Sequence, residues 1–430
     1  ITDPIAGPQL LWQLTTAANG EPLFGTGGTP LITTVFVGSG DAAKEVAVAV
    51  LPGGSGGAPT GSTCERQTLS FDHLPTDFRP RPRVNCYPTS SKAAKSVTIV
   101  RLDSGEVLRT FRQDPEAIPA SLSADGMSTE ANSFEARTTT APFDSPMTGR
   151  PVGFPSDAGA VADRIYLGDQ DGTLWRIDVS AADPAQWDVA LLFDAYAPAS
   201  GTEVEAARKG QPIETPPILS MDEEGRITVN FSTGDQEALS ASDTENYVWS
   251  ISEGRDPDNA AQLKVAVNWY LHFENGERVV GPMVLMSSAL YFTTFAPDTL
   301  SCGAEENGTS RIFGVDFTMA DPEKPLQPRL SGFLGSQPNP QVHPGLVSGL
   351  ALMQLPSCYE SPETAANNAY FPGYASRPRP QGAAPGLFQL TFHTGRTSSN
   401  DGAGGLNAGS VAIAPPASVS RIDSWAAIVD

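Results

Sequence analysis

The residues whose types and spacing could do chemistry are few and poorly grouped. Residues 53–57 read GGSGG, the G-x-S-x-G spelling of a nucleophile elbow with Ser55 as the nucleophile. An elbow needs a strand before the serine and a helix after it, so that the hydroxyl stands on a sharp turn. A strand-like EVAVAV does precede it, but APTGSTC follows and cannot be helical, so esterase chemistry is set aside. Residues 38–43, GSGDAA, imitate a dinucleotide fingerprint. The next residues, KEVAVAV, alternate like a strand and no suitable acidic residue follows, so this is a hairpin turn. Residues 163–178, DRIYLGDQDGTLWRID, hold an acidic glycine turn that departs from the Asp-box spelling at Gln170. Asp169 or Asp171 can bond its own backbone there and Gly172 can take positive φ, so the turn reads as structural rather than metal-binding. His73, His272, His343 and His393 sit in unrelated contexts and read as surface or turn residues rather than ligands. The NGT at Asn307 is a sequon by its letters only. A glycosidase would need two carboxylates facing each other across a sugar. The sequence does not say which of its 49 acidic residues converge.

The elements that would position any of these are strands. Charged residues make up 18% of the 430, while Gly (41) and Pro (38) are abundant, which favours many short strands joined by turns. The net charge of −22 argues against a nucleic-acid or anionic-membrane partner and leaves room for a cation. Cys64, Cys86, Cys302 and Cys358 form no C-x-x-C pair, which suits two disulfides in an oxidising compartment. The local pairing is Cys64–Cys86 with Cys302–Cys358, but three connectivities are open. No apolar run reaches the length of a membrane-spanning helix. With no initiating Met and no basic leader, the chain reads as a mature or trimmed fragment.

A proline in a short turn repeatedly introduces an apolar run, at Pro30, Pro151, Pro216, Pro282 and Pro344. The last four stand 65, 66 and 62 residues apart, the mark of a repeated supersecondary unit. The first gap is about twice as wide and contains a Gly/Ser/Pro-rich insertion, 52–95, that carries two cysteines. Each unit continues with a second strand (164–169, 226–234, 289–295) and a third (173–179, 246–252, 311–317); 97–111 is a hairpin with a Ser-Gly turn. In the third strand of the second unit, Thr173, Trp175, Ile177 and Val179 share one face, and Leu174, Arg176 and Asp178 the other. The nearest approach to a helix is AAQLKVAV, 260–267. Repeated small antiparallel sheets that need neighbours on both faces predict an all-β β-propeller. We expect one domain over 1–430 with five to seven distorted blades, long loop insertions and an irregular part over 360–430. The strand at 9–14 would close the ring against the last blade. Two β-sandwiches are the competing fold.

These phrases, in this order, resemble one family: the C-terminal propeller domain of PilY-type proteins, tip-associated adhesin and assembly factors of bacterial type IV pili. Its signature run is matched by Asp163, Tyr166, Gly168, Asp169, Gly172, Trp175, Arg176 and Asp178. It continues with Gln211, Pro212 and Ile213, then Ser232, Thr233 and Gly234. Gly276, Glu277 and Arg278 follow, then Phe292, Thr293 and Thr294, then Cys302 and Gly303. The resemblance spans most of 9–318 and weakens after about 330. It implies a non-enzymatic, extracellular pilus-tip adhesin and assembly module, exported through the periplasm. Its partners would be minor pilins and a surface or host receptor, with no nucleic acid and no membrane insertion. A secreted propeller glycan hydrolase and an assembly scaffold without external ligand are the alternatives. The resemblance also implies a calcium loop before the Tyr-x-Gly-Asp strand, here 155–163. Asp157 and Asp163 hold acidic positions in it, but Pro155 and Gly159 stand where two further carboxylates would be, so the site is degenerate. The Asp-x-Ser-x-Ser motif of the family's usual von Willebrand A-type domain does not occur in these residues.

Overall fold

The computed structural model describes residues 11–14, 24–38, 42–58, 72–76, 78, 87, 92–112, 138–155, 159–196, 210–222, 224–259, 262–286, 289–298, 308–317, 340–354, 388–394 and 407–413. Among them every regular element is a strand except one 3-10 turn at Pro184–Gln186, so the protein is all-β as expected. By internal contacts the chain divides into two units, the first ending at Val279 and the second beginning at Val280.

The first unit holds three sheets. The first sheet runs β1 (Leu31–Val37), β2 (Lys44–Pro52), β3 (Ser96–Arg101) and β4 (Val107–Arg112) as an antiparallel meander, with β5 (Thr138–Thr140) parallel to β4. The second is β6 (Val152–Phe154), β7 (Arg164–Gly168), β8 (Thr173–Asp178) and β9 (Asp188–Asp194). The third is β10 (Ile218–Met221), β11 (Ile227–Ser232), β12 (Asn246–Arg255) and β13 (Leu263–Phe273). A short β14 (Arg278–Val279) follows. In the second unit β15 (Val284–Met286), β16 (Ala289–Ala296), β17 (Thr309–Asp316) and β18 (Gln341–Pro344) form an antiparallel meander. So do β19 (Val347–Gln354), β20 (Phe388–Thr394) and β21 (Asn407–Ala412). Among the described residues these are five sheets of the size of propeller blades, in sequence order, against the five to seven blades expected.

The prolines mark where sheets begin. Pro30 and Pro151 immediately precede β1 and β6, and Pro216, Pro282 and Pro344 stand within three residues of β10, β15 and β19. Proline lacks an N–H and fixes φ, so it suits the entry to an outer strand. The wide first gap is not two units: β1 to β5 are one sheet, and the 52–95 insertion lies between β2 and β3. The GSGDAA segment is a hairpin connection, with Val37 paired to Lys44 across it. Ser55 is exposed and bridges Thr26 instead of heading a helix.

Three expectations differ. Leu11–Leu14 holds no strand; Trp12 donates its indole N–H to Leu102 O at 2.8 Å and packs with Leu14 on Ala49, Val100 and Val107 of the first sheet. Residues 263–267, placed closest to a helix, begin the long strand β13. Its alternation is broken because the β12–β13 register shifts at Ser250/Ile251, so Asn268 and Trp269 are both buried. Strand β9 has no counterpart in the sequence reading.

The core of the first unit gathers Val48, Ile99, Phe111, Phe143, Ile165, Trp175, Phe193, Phe231 and Trp249, with Phe143 edge-on to Trp175 at 5.0 Å. Each such side chain contributes about 1.5–3 kcal/mol by leaving water. A smaller core in the second unit includes Tyr291, Ile312, Leu390, Phe392 and Ile413.

Candidate functional site

The β7–β8 hairpin organises the site, and its two ends do different things. At the turn end Asp169 is fully buried. Its Oδ1 accepts the N–H groups of Asp171 and Thr173, both at 2.9 Å, and its Oδ2 accepts the Trp175 indole N–H at 3.0 Å. Three donors on one carboxylate staple the turn to the strand that follows it. Gly172 has φ +80°, and a Cβ there would lie 2.7 Å from the Tyr196 ring. The acidic turn is therefore a structural fastener, as its spacing suggested. Thr173, Trp175, Ile177 and Val179 are all buried on their shared face. Leu174, on the other face, is buried too.

At the open end, Tyr166 and Arg176 are cross-strand partners, and both reach Glu253 near the end of β12. The Tyr166 hydroxyl donates to Glu253 Oε2 at 2.7 Å and Arg176 Nε donates to Oε1 at 2.9 Å. Arg176 also donates to Asp178 Oδ2 at 3.1 Å, and Arg164 Nη1 stands 3.7 Å from Glu253 Oε1. Burial would lower Arg176, but Glu253, Tyr166 and Asp178 outweigh it and hold the guanidinium above its usual value. Burial, reinforced by the charge and hydrogen bond of Glu253, pushes the Tyr166 phenol far up, so it stays a donor. Burial raises Asp178 as well, yet hydrogen bonds from Ser180 and Arg176 prevail and hold it low. A carboxylate held low, as Asp178 is, does not suit the proton-donating acid of a glycosidase pair.

This cluster forms one wall of a cavity of about 320 Å³, lined by Arg164, Arg176, Asp178, Gly225, Arg226, Ile227, Glu253, Gly254, Arg255 and Leu263. The starts of β7, β11 and β13 and the ends of β8 and β12 meet there. Sequence reasoning missed Glu253, Arg164, Arg226 and Arg255. One signal was present: Tyr247, Trp249, Ile251 and Glu253 alternate along β12, so a carboxylate continues an apolar, buried face.

Other motif residues are fasteners as well. Arg278 is fully buried and donates to the carbonyls of Gly276 (2.9 Å), Asp235 (2.9 Å), Ala238 (2.8 Å) and Ala241, wrapping the segment 235–244 around one guanidinium. Gly234 has φ +138°, and a Cβ there would lie 2.7 Å from Arg278 Cβ. Glu214 accepts the Gln236 N–H at 2.7 Å, and burial pushes its carboxyl up to about 7.

Of the expected calcium ligands, Asp157 lies outside the described residues. Asp163 is tied by its main chain to Phe154 and Val179. Its Oδ1 is buried with no hydrogen-bond partner, 3.8 Å from Arg164 Nε. Burial pushes this carboxyl up while Arg164 opposes it. An oxygen without a donor suits a cation, but one carboxylate beside an arginine does not complete a site. Among the described residues no group of three or more His, Cys, Asp or Glu is arranged to hold a metal. Cys64, Cys86, Cys302 and Cys358 lie outside the described residues, as does Asn307. His73 is a buried turn residue; His272, His343 and His393 lie in strands, with His272 stacked on Tyr247 at 4.7 Å. Among the described residues no helix is long and apolar enough to cross a membrane.

An all-β protein built of successive blade-like meanders, with a signature spent on fasteners, is the class these observations define. No family model matches the chain. Over 258 residues, 51% of the chain, it is 28% identical to a type IV pilus biogenesis factor PilY1 homolog of Xylella fastidiosa. It covers 19% of that relative's length. The resemblance to PilY-type proteins carried by the motifs is thus met by an independent match. Among solved structures, the Pseudomonas aeruginosa PilY1 C-terminal domain aligns with a TM-score of 0.36 at 14% identity, over 76% of this chain and 79% of that one. An endo-arabinase from Bacteroides thetaiotaomicron aligns with a TM-score of 0.27 at 9% identity, over 84% of this chain and 98% of that one.

Proposed function

We propose that the chain is a non-enzymatic pilus module: a single propeller domain over 1–430, displayed outside the cell at the tip of type IV pili. In this reading it binds a surface or receptor and supports pilus assembly through minor pilins. The observation that carries it is the 258-residue match to a type IV pilus biogenesis factor. The way the signature residues are used agrees with a load-bearing role. Asp169, Tyr166, Arg176 and Arg278 are taken up by backbone and side-chain fasteners within the first unit. A fold stapled at its turns resists pulling, and loops outside it remain available for contact. Disulfides among Cys64, Cys86, Cys302 and Cys358 would pin the longest insertions in an oxidising compartment. Asp157 and Asp163 belong to the same reading as two ligands of a degenerate calcium loop.

The test is genetic and biochemical. Deletion of the gene reduces surface piliation, twitching and adhesion, and mass spectrometry of sheared pilus tips finds the chain beside minor pilins. A deletion strain with normal pili and normal adhesion refutes the reading.

A further inference from the structure

The cavity at the open end of the β7–β8 hairpin is not used by anything proposed above. Its wall carries four guanidinium groups, on Arg164, Arg176, Arg226 and Arg255, against two carboxylates, on Asp178 and Glu253. Three more acids, Asp163, Asp222 and Glu224, pair with these arginines from outside the lining, so the guanidinium groups are not in excess. Arg176 and Arg226 are tied close to acids. Arg176 is held by Glu253 and Asp178, and Arg226 by Asp222 at 2.7 Å and Glu224 at 2.9 Å.

Arg164 differs. The acidic oxygens near it, on Glu253 and Asp163, lie 3.7 and 3.8 Å from its nitrogens. That is beyond the roughly 3.2 Å of an N–H···O bond. Its side chain is 21% exposed, lines the cavity, and makes no hydrogen bond among the described residues. A guanidinium held in place by longer-range attraction keeps its planar fork available, and that fork matches a carboxylate bidentately.

The rest of the wall suits a compact molecule. Gly225 has φ +77° and open space where a Cβ would stand, and the half-buried Leu263 offers apolar surface, while Ile227 lines the cavity but is only 3% exposed. A volume of about 320 Å³ lies at the small end of small-molecule sites. We infer that this cavity binds a small carboxylate-bearing ligand, its carboxylate on Arg164 and its body against Leu263. The inference stands on the cavity alone and does not depend on the pilus reading.

The probe is glucuronate, with glucose as the counterpart lacking the carboxylate and inorganic phosphate as the other anion. Binding to the 430-residue chain is measured by calorimetry and ligand-observed NMR at low salt, where surface charge is least screened. Glucuronate binds with a Kd of about 1 mM, and glucose and phosphate do not bind at the same concentration. Arg164→Gln weakens glucuronate by about tenfold or more. Arg255→Gln, at the exposed rim, weakens it by a smaller factor and serves as the second variant should Arg164→Gln fail to fold. The inference is overturned by absence of glucuronate binding, by equal binding of phosphate, or by affinity unchanged in both variants.

Discussion

The two ends of the β7–β8 hairpin hold buried carboxylates in opposite ways. Asp169 at the turn end receives three N–H donors, two from backbone and one from an indole, two, four and six residues along the chain. Glu253 at the open end comes from another sheet and is held by long side chains, Tyr166 and Arg176, more than seventy residues away in sequence. The first arrangement is local and closed, so it specifies a turn. The second joins two sheets and borders a cavity, so charge there can be shared with something that enters. A buried acid saturated by backbone argues for fold; one held by guanidinium groups at a cavity wall leaves room for a ligand.

The sharpest way to break this contrast is at the closed end. Asp169→Ala leaves three buried donors without an acceptor, each costing about 1–3 kcal/mol. We expect a loss of about 3–5 kcal/mol in urea unfolding, among the larger single-site effects in any domain. A loss below about 1 kcal/mol would mean that the staple is ornamental. At the open end, Glu253→Gln removes one buried counter-charge of Arg176 and leaves Asp178 as its acidic hydrogen-bond partner, and the expected loss is about 2–3 kcal/mol. Adding Arg176→Met to that variant recovers part of the loss, because the stranded charge is removed. A double-mutant cycle should give a coupling of about 0.5–3 kcal/mol. The same pair of changes has no counterpart at Asp169, whose partners are mostly backbone.

How much of this was legible in the sequence follows from the same contrast. The turn was readable because Asp169, Gly172, Thr173 and Trp175 lie within one short segment, and Asx-turn chemistry is local. The sheet starts were readable because proline marks them every sixty-odd residues. The Glu253 cluster was not, because its members come from β7, β8 and β12, and no spacing rule links Tyr166 to a residue 87 positions on. Strand β13 hid behind a register shift that spoils alternation. The gathering of four arginines at one cavity is likewise invisible in a net charge of −22, which sums over the whole chain.

Glu214 sharpens the comparison with an intermediate case. It lies next to Ile213, whose N–H bonds Asp169 O, but its carboxylate receives only one backbone donor, from Gln236. Burial is then under-compensated, and its value moves from 4.5 to about 7. The folded state therefore holds a proton that the unfolded state has already released between these limits. The stability from this group is fully present below pH 4.5 and is lost as pH rises through about 7. Glu214→Gln should be neutral near pH 4 and stabilising by about 1 kcal/mol at pH 8, a figure discounted for partial access of solvent. A variant whose stability difference does not change between these pH values would remove Glu214 from the series.

The smallest expected effect probes the rim. Glu224 pairs with Arg226 at 2.9 Å, but its side chain is 68% exposed, so water screens the pair and side-chain entropy opposes it. Glu224→Gln should change stability by less than about 0.5 kcal/mol. Asp222 is the contrasting neighbour, since its Oδ1 also accepts the backbone N–H of Arg226 at 2.8 Å and so shapes the turn before β11. If the open end is separable from the fold, the Glu224 change leaves the urea midpoint in place while it raises the positive charge at the cavity mouth. Glucuronate should then bind somewhat more tightly, and the gain should shrink as salt is added. A large stability loss with no change in binding would show instead that the rim acids, like Asp169, serve the fold alone.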